Sequence, residues 1–218
     1  MKQTSERLMP AFFILGLLVL WEGAVRIFGI PLYVLPSPVQ VAETLVQELP
    51  VLALHARVTV AEALAGVAIS LVLALALGIL MDCFPMIRQG LYPVLVVTQT
   101  VPMIVLAPIF IIYMGFGAAP KILTVVLMCF FPVAVSFSDG LSQVDAEYVH
   151  LVRSYGAGQW KTYCLVKIPA AVPALLSGLK VAATYSISGA VVGEWIGSQE
   201  GLGYYLLRVK NGYMLDKV

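Results

Sequence analysis

The sequence predicts an all-α integral membrane protein, and three observations carry that prediction. Hydrophobic residues make up 61% of the 218-residue chain and charged residues only 11%, against about half apolar and a quarter charged in soluble domains. The mean hydropathy of +0.95 means more apolar surface than one soluble core of this size can hide. The apolar residues gather into runs close to the ~20 residues that a helix needs to cross a bilayer, separated by short polar or Gly/Pro-containing stretches. A single transmembrane domain over 1–218 is expected. The formal net charge of +1 gives no field that would gather nucleic acid, so the bilayer is an expected partner and nucleic acid is not.

Five spans are expected, over 8–28, 58–81, 91–114, 122–137 and 172–196. The first follows Lys2 and Arg7, and no small-x-small site ends it, so it reads as an anchor and not a cleaved signal. Glu22 and Arg26 stand four apart and can pair at its far end, beside Trp21. The run "PLYVLPSPVQVAETLVQEL" is too polar and too rich in proline to cross, and 39–49 reads as a short helix lying at the interface. The second span is expected to end before "DCFPMIRQG" and the third at "GFGAAP". The last stretch, with Glu200, Arg208, Lys210, Asp216 and Lys217, reads as a surface or re-entrant element.

Charge does not orient the chain. Lys2, Arg7, Arg88, Arg153, Lys161 and Lys167 fall on one side, and Arg26, Arg57, Lys121, Arg208, Lys210 and Lys217 on the other. The positive-inside rule gives no preference.

Between the fourth and fifth spans a polar segment interrupts the apolar chain: "DAEYVHLVRSYGAGQWKTYCLVKIP", residues 145–169. Asp145 suits a helix N-cap, with Glu147 in the first turn. Tyr148, Leu151, Val152 and Tyr155 share one face, and Gly156 can end the helix in a left-handed conformation. Residues 159–166 are expected to form a second short helix, with Trp160, Tyr163, Cys164 and Lys167 along one side. Pro169 then suits the first turn of the next span. Two short helices with aromatic faces and basic edges (Arg153, Lys161, Lys167) fit a surface that docks a soluble protein better than a solvated loop.

This segment resembles the signature loop in the membrane subunits of binding-protein-dependent ABC importers, whose pattern is Glu-Ala-Ala, three residues, Gly, nine residues, Ile, one residue, Leu-Pro. With Gly156 on the family glycine, Val166, Ile168 and Pro169 fall on the Ile, Leu and Pro. His150, Leu151 and Val152 stand where the pattern has Glu-Ala-Ala, which leaves Glu147 or Arg153 to substitute for the missing glutamate. "LPSPVQVAETL" and "SGLKVAATYSISGAVVGEWIGSQEGLG" are similar to segments of the nitrate, sulfonate and taurine branch, and permeases for thiamine precursors and riboflavin look alike.

The resemblance implies a type I importer (MetI-like) permease domain in the cell inner membrane, with a coupling loop over about 140–169. It implies a sixth span beyond the five visible, so that either the sequence is truncated, which is the expectation, or this version differs from the family. The implied partners are ABC ATPase subunits, a second permease copy and an extracytoplasmic substrate-binding protein. No cofactor is expected in this chain, and ATP with Mg²⁺ belongs to the ATPase. The implied coupling residues are Glu147, His150, Arg153, Gly156, Trp160 and Pro169.

No Gly-x-x-x-x-Gly-Lys-Ser/Thr loop is present, so no nucleotide is cradled by that route and no enzyme is expected. His55 and His150 have no ligand-spaced neighbours, and Cys83, Cys129 and Cys164 lie far apart. Charges inside spans are functional candidates by default. They are Glu62, Lys180 and Glu194, and an ion-coupled secondary transporter using these three as a relay is the competing reading. A membrane assembly factor has no positive feature. Polar residues among prolines in the spans make Gln99, Thr100, Ser136, Lys180, Ser186 and Glu194 candidates to line a path, although Ser and Thr serve equally as helix-packing contacts.

Overall fold

The computed structural model describes the backbone of residues 2–218 and their side chains apart from residues 2–8 and 11. All its regular elements are helical. In chain order they are α1 (Lys2–Ile27), α2 (Pro38–Cys83), α3 (Pro85–Thr98), α4 (Met103–Met114), α5 (Ala118–Ser142), α6 (Ala146–Ser154), α7 (Gln159–Thr162), a π-turn (Tyr163–Lys167), α8 (Ile168–Glu194), α9 (Leu202–Asn211) and a closing 3₁₀ turn (Leu215–Lys217).

Among the described residues three helices are long and apolar enough to cross a membrane: Pro38–Cys83, Ala118–Ser142 and the continuous Gln159–Glu194. The bent pair α3–α4 makes a fourth if it counts as one span. The first expected span coincides with α1, where Arg26 Nε reaches Glu22 Oε1 at 2.5 Å as the spacing predicts. The charges Lys2 and Arg7 before it lie outside the described side chains.

The core is a three-helix unit. α2, α5 and α8 bury Ala74, Met81, Val125, Cys129, Val133, Phe137, Leu141, Ala182 and Ala190 between them. α8 meets α5 along a stripe of small residues, Gly178, Ala182, Ser186, Gly189 and Gly193, all buried. Small side chains let two backbones approach, which is how helices pack where lipid supplies no hydrophobic drive. Around this core the apolar surface is open: Phe12, Phe13, Val19, Leu64, Val72 and Ile112 are exposed. Water would disfavour that belt, whereas a bilayer accommodates it.

Three expectations need correction. The first is the interface helix over 39–49, which is not a separate element. It is the first part of α2, a 46-residue helix that runs through Pro50. At ~1.5 Å per residue it is about 69 Å long, over twice the thickness of a hydrocarbon layer. Ser37 starts it with a capping box, its backbone N–H donating to Gln40 Oε1 at 2.9 Å and its Oγ accepting from Gln40 N at 3.4 Å. The outer part is held by the end of the chain. Lys217 Nζ bonds Glu48 Oε1 at 2.5 Å and Thr44 Oγ1 donates to Asp216 Oδ2 at 3.2 Å, so the last stretch packs on α2. The Glu48 carboxylate raises the pKa of Lys217 through that hydrogen bond.

The second correction concerns the third span. It is not one helix: α3 and α4 meet at 102°. Pro102 has no N–H to continue the ladder and pushes Val101 out of the helical region. The hydroxyls of Thr98 and Thr100 take up the last carbonyls of α3, Thr98 Oγ1 at 2.9 Å from Val94 O and Thr100 Oγ1 at 2.7 Å from Val97 O. At "DCFPMIRQG" α2 ends at Cys83, and α3 starts at Pro85 after a single extended residue, Phe84.

The third correction is to the second half of the polar segment, where residues 159–166 do not close as a short helix. They run through a π-turn into α8, making one helix from Gln159 to Glu194. Pro169 is the local reason, since it cannot donate to the carbonyl four residues back. The preceding Ile168 N–H bonds Tyr163 O instead, a five-residue step.

Candidate functional site

The first half of the polar segment folds as its residues predict. Asp145 caps α6, Oδ1 accepting from Glu147 N at 2.9 Å. Gly156 stands at φ +82°. Its N–H bonds Arg153 O at 2.9 Å and the next N–H, of Ala157, bonds Val152 O at 3.2 Å. This paired 6→1 and 5→2 closure is a Schellman motif, which only a residue tolerant of positive φ completes without strain.

The element so formed projects from the bundle. Glu147, His150, Arg153, Gly156, Trp160 and Pro169 are all exposed. So are Tyr148, Leu151, Tyr155 (85%) and Trp160 (72%). The expected single face of Trp160, Tyr163, Cys164 and Lys167 is not formed: Tyr163 is buried at 6% exposure while Trp160 and Cys164 face out.

Tyr163 turns inward because α2 ends beside it. Asp82, next to last in α2, accepts hydrogen bonds from Tyr163 Oη and from Lys167 Nζ, the latter at 2.5 Å. Cys83 Sγ donates to Tyr163 Oη at 3.2 Å. Nearby, Tyr92 Oη donates to Asp139 Oδ2 at 3.1 Å and Arg88 reaches Asp139 at 3.5 Å, which ties α3 to the same end of α5.

A second polar cluster lies at the opposite end of the bundle, about 27 Å away along α5 from Asp139 to Lys121 at ~1.5 Å per residue. Glu194, 1% exposed, receives Thr59 Oγ1 at 2.7 Å and Gly203 N at 2.6 Å. Thr59 Oγ1 accepts from Leu202 N at 2.8 Å, and His55 Nδ1 accepts from Gly201 N at 3.1 Å. Side chains of α2 and α8 thus satisfy the first N–H groups of α9, which no intrahelical carbonyl can reach. One turn along α2, Glu62 pairs with Lys121 Nζ at 2.8 Å, both buried. Two overlapping open clefts of about 760 and 780 Å³ adjoin Glu62, bounded by Val58, Ala118, Gln199 and Glu200.

The other sequence candidates are scattered. Gln99 and Thr100 are exposed at the α3–α4 break, Gln99 lining a 210 Å³ cleft with Phe131 and Tyr185. Ser136 sits in the α5–α8 seam, where a Cβ on Gly178 would come within 2.9 Å of it. Ser186 is buried and its hydroxyl donates to Ala183 O at 2.9 Å. Lys180 is exposed and makes no ion pair among the described residues. It stands about 21 Å from Glu194 along α8 at ~1.5 Å per residue, so a Glu62–Lys180–Glu194 relay is not assembled.

Sequence reasoning missed Lys121, Thr59, Asp82 and Tyr163. For Lys121 the available signal was its place among apolar residues directly after Pro120; for Asp82 it was a carboxylate in the last turn of a span.

Residues 66–217 match the family described as the binding-protein-dependent transport system inner membrane component. The formylaminopyrimidine transport permease of Halalkalibacterium halodurans is 37% identical over 210 residues, covering 96% of this chain and 84% of that protein. The riboflavin transport system permease of Chloroflexus aurantiacus is 33% identical, covering 86% of this chain and 70% of that protein. A putative aliphatic sulfonates transport permease of Bacillus subtilis is 30% identical, covering 97% and 76% respectively.

Proposed function

The chain belongs to the family of binding-protein-dependent transport system inner membrane components, and from that premise we propose how this ABC importer permease works: an ATPase subunit docks on residues 145–157, and a second copy of the chain completes the path. One observation carries the docking assignment. α6 is capped at both ends, and the aromatic side chains of Tyr148 within it, Tyr155 at its C-cap and Trp160 just beyond are 62%, 85% and 72% exposed. Aromatic residues beside arginine are what protein interfaces favour, and Arg153 stands among them.

ATP and Mg²⁺ act on the partner. Closure of the ATPase pushes α6, and through α7 the push reaches α8 as a rigid-body movement that alternates access to the path. A binding protein delivers substrate at the end where Glu62 and Glu194 lie. We take the cargo to be a small nitrogen heterocycle. The support is the 37% identity to a permease named for formylaminopyrimidine and the 33% identity to one named for riboflavin, both above the sulfonate relative.

Co-purification followed by uptake into proteoliposomes tests this. An ATPase subunit should come down with the chain, Gly156→Val should release it, and uptake of labelled formylaminopyrimidine should require ATP. Uptake driven by a proton gradient without ATP, or a chain that purifies alone, would sink the reading. Uptake of an alkyl sulfonate in place of the pyrimidine would correct the cargo alone.

A further inference from the structure

The ATPase-docking element reaches the three core helices by different routes. It is joined covalently to α5 through residues 143–145 and to α8 through α7 and the π-turn. α2 has no such link, since its last residue, Cys83, precedes Asp145 by 62 positions (145 − 83). Among the described residues, the hydrogen bonds between α2 and the segment 145–167 are those of Asp82 and its neighbour Cys83.

Asp82 holds the widened turn from both of its ends, Tyr163 at the first residue and Lys167 at the last. Its side chain is 8% exposed and that of Lys167 21%. A buried carboxylate tied to one cation and one hydroxyl is costly to open, because each partner would be left unpaired. α2 then runs about 30 Å from Asp82 to Glu62 at ~1.5 Å per residue, without a break. At that far end it carries His55, Thr59 and Glu62, which hold α9, Glu194 and Lys121.

We propose that Asp82, clasped by Tyr163 and Lys167, is the strut through which the ATPase-docking element moves α2, so that ATPase closure at one end shifts the Glu62–Glu194 cluster at the other. Asp82 is a positioning residue, touching neither nucleotide nor substrate. The inference rests on the docking of an ATPase at 145–157 and adds the path by which α2 receives the movement. Without the strut, α5 and α8 follow α6 directly, while α2 is carried only by packing along the bundle and by its ties to Lys121 and Glu194 at the far end.

The test uses the whole complex, permease with its ATPase and binding protein, in proteoliposomes, and reads uptake of labelled formylaminopyrimidine per ATP hydrolysed. Asp82→Asn and Lys167→Met should keep the ATPase bound in wild-type ratio and hydrolysing. Uptake per ATP should fall by about tenfold, inside the 5–150-fold range of coupling between sites. The exchange Asp82→Lys with Lys167→Asp should recover most of it, which a merely destabilising change would not. If Asp82→Asn does not fold, Lys167→Met leaves Tyr163 on Asp82 and gives the same readout. An unchanged ratio in the variants overturns the strut and leaves docking intact. Loss of the bound ATPase in the variants also overturns it, since the cluster would then serve docking itself. A wild-type chain that binds no ATPase overturns both readings.

Discussion

Glu194, the last residue of α8, and Thr59, on α2, share a hydrogen bond of 2.7 Å although 135 residues separate them. Each also holds a backbone N–H of α9, Thr59 that of Leu202 and Glu194 that of Gly203. Three helices therefore meet at two side chains in a buried, polar joint. Replacing Thr59 by Val keeps the shape and strands one carboxylate oxygen and one N–H. A cost of about 2 kcal/mol is expected, read as a lower apparent melting temperature of the purified protein. Retention of wild-type stability would mean the joint is dispensable.

Gly201 should be the more sensitive position in the same joint. Its φ of +106° disfavours any side chain, and a Cβ there would lie 2.2 Å from the Glu194 carboxyl carbon. Gly201→Ala therefore meets both backbone strain, of order 1–3 kcal/mol, and displacement of Glu194. It should destabilise more than Thr59→Val. The reverse order in a thermal-shift series would contradict this geometry.

The Glu62–Lys121 pair invites a double-variant cycle. Both partners are buried, so Lys121→Met alone leaves an uncompensated carboxylate and should cost about 3–5 kcal/mol. The double variant Glu62→Met with Lys121→Met removes both charges and should regain most of that loss. A double variant no better than Lys121→Met would show that the charges do more than neutralise each other.

What could be read in advance follows the range of the interactions. The cap at Asp145 and the left-handed Gly156 are local, fixed within a few residues, and both were legible. The 102° turn between α3 and α4 was not, because an apolar run with prolines reads equally as a kinked span or a broken one; Thr98 and Thr100 bonding back to the chain decide it. The polarity of 39–49 reads as an end to any spanning helix, but that outer part of α2 is held by Lys217 and Asp216 from the far end of the chain. The pairs Lys121–Glu62 and Lys167–Asp82 span 59 and 85 residues. No spacing rule reaches that far, so each charge could be noticed singly and its partner could not.

At Tyr155, the C-cap of α6, and at Trp160 in α7 the expected effects separate folding from association. Tyr155 and Trp160 are 85% and 72% exposed, so alanine at either should leave stability within about 0.5 kcal/mol. Either change should weaken retention of the ATPase by about tenfold or more, as truncation of an aromatic anchor does. Quantitative pull-down against a fixed amount of ATPase gives the number. Unaltered retention in both variants would remove the aromatic face from the docking surface.

The α5–α8 seam gives the last expectation. A Cβ on Gly178 would stand 2.9 Å from Pro132 O and 2.9 Å from Ser136 Cβ, so Gly178→Ala must push a backbone carbonyl as well as a side chain. Pro132 makes that carbonyl hard to move, its own ring fixing the local φ. On α1, by contrast, a Cβ on Gly23 meets nothing within 4 Å, and Gly23→Ala should stabilise the helix by up to ~1 kcal/mol through propensity alone. The same chemical change should thus have opposite signs at the two positions, with the thermal midpoint lowered for Gly178→Ala and unchanged or raised for Gly23→Ala. If both variants melt alike, α5 and α8 are not packed as closely as the seam of Gly178, Ala182 and Ser186 requires.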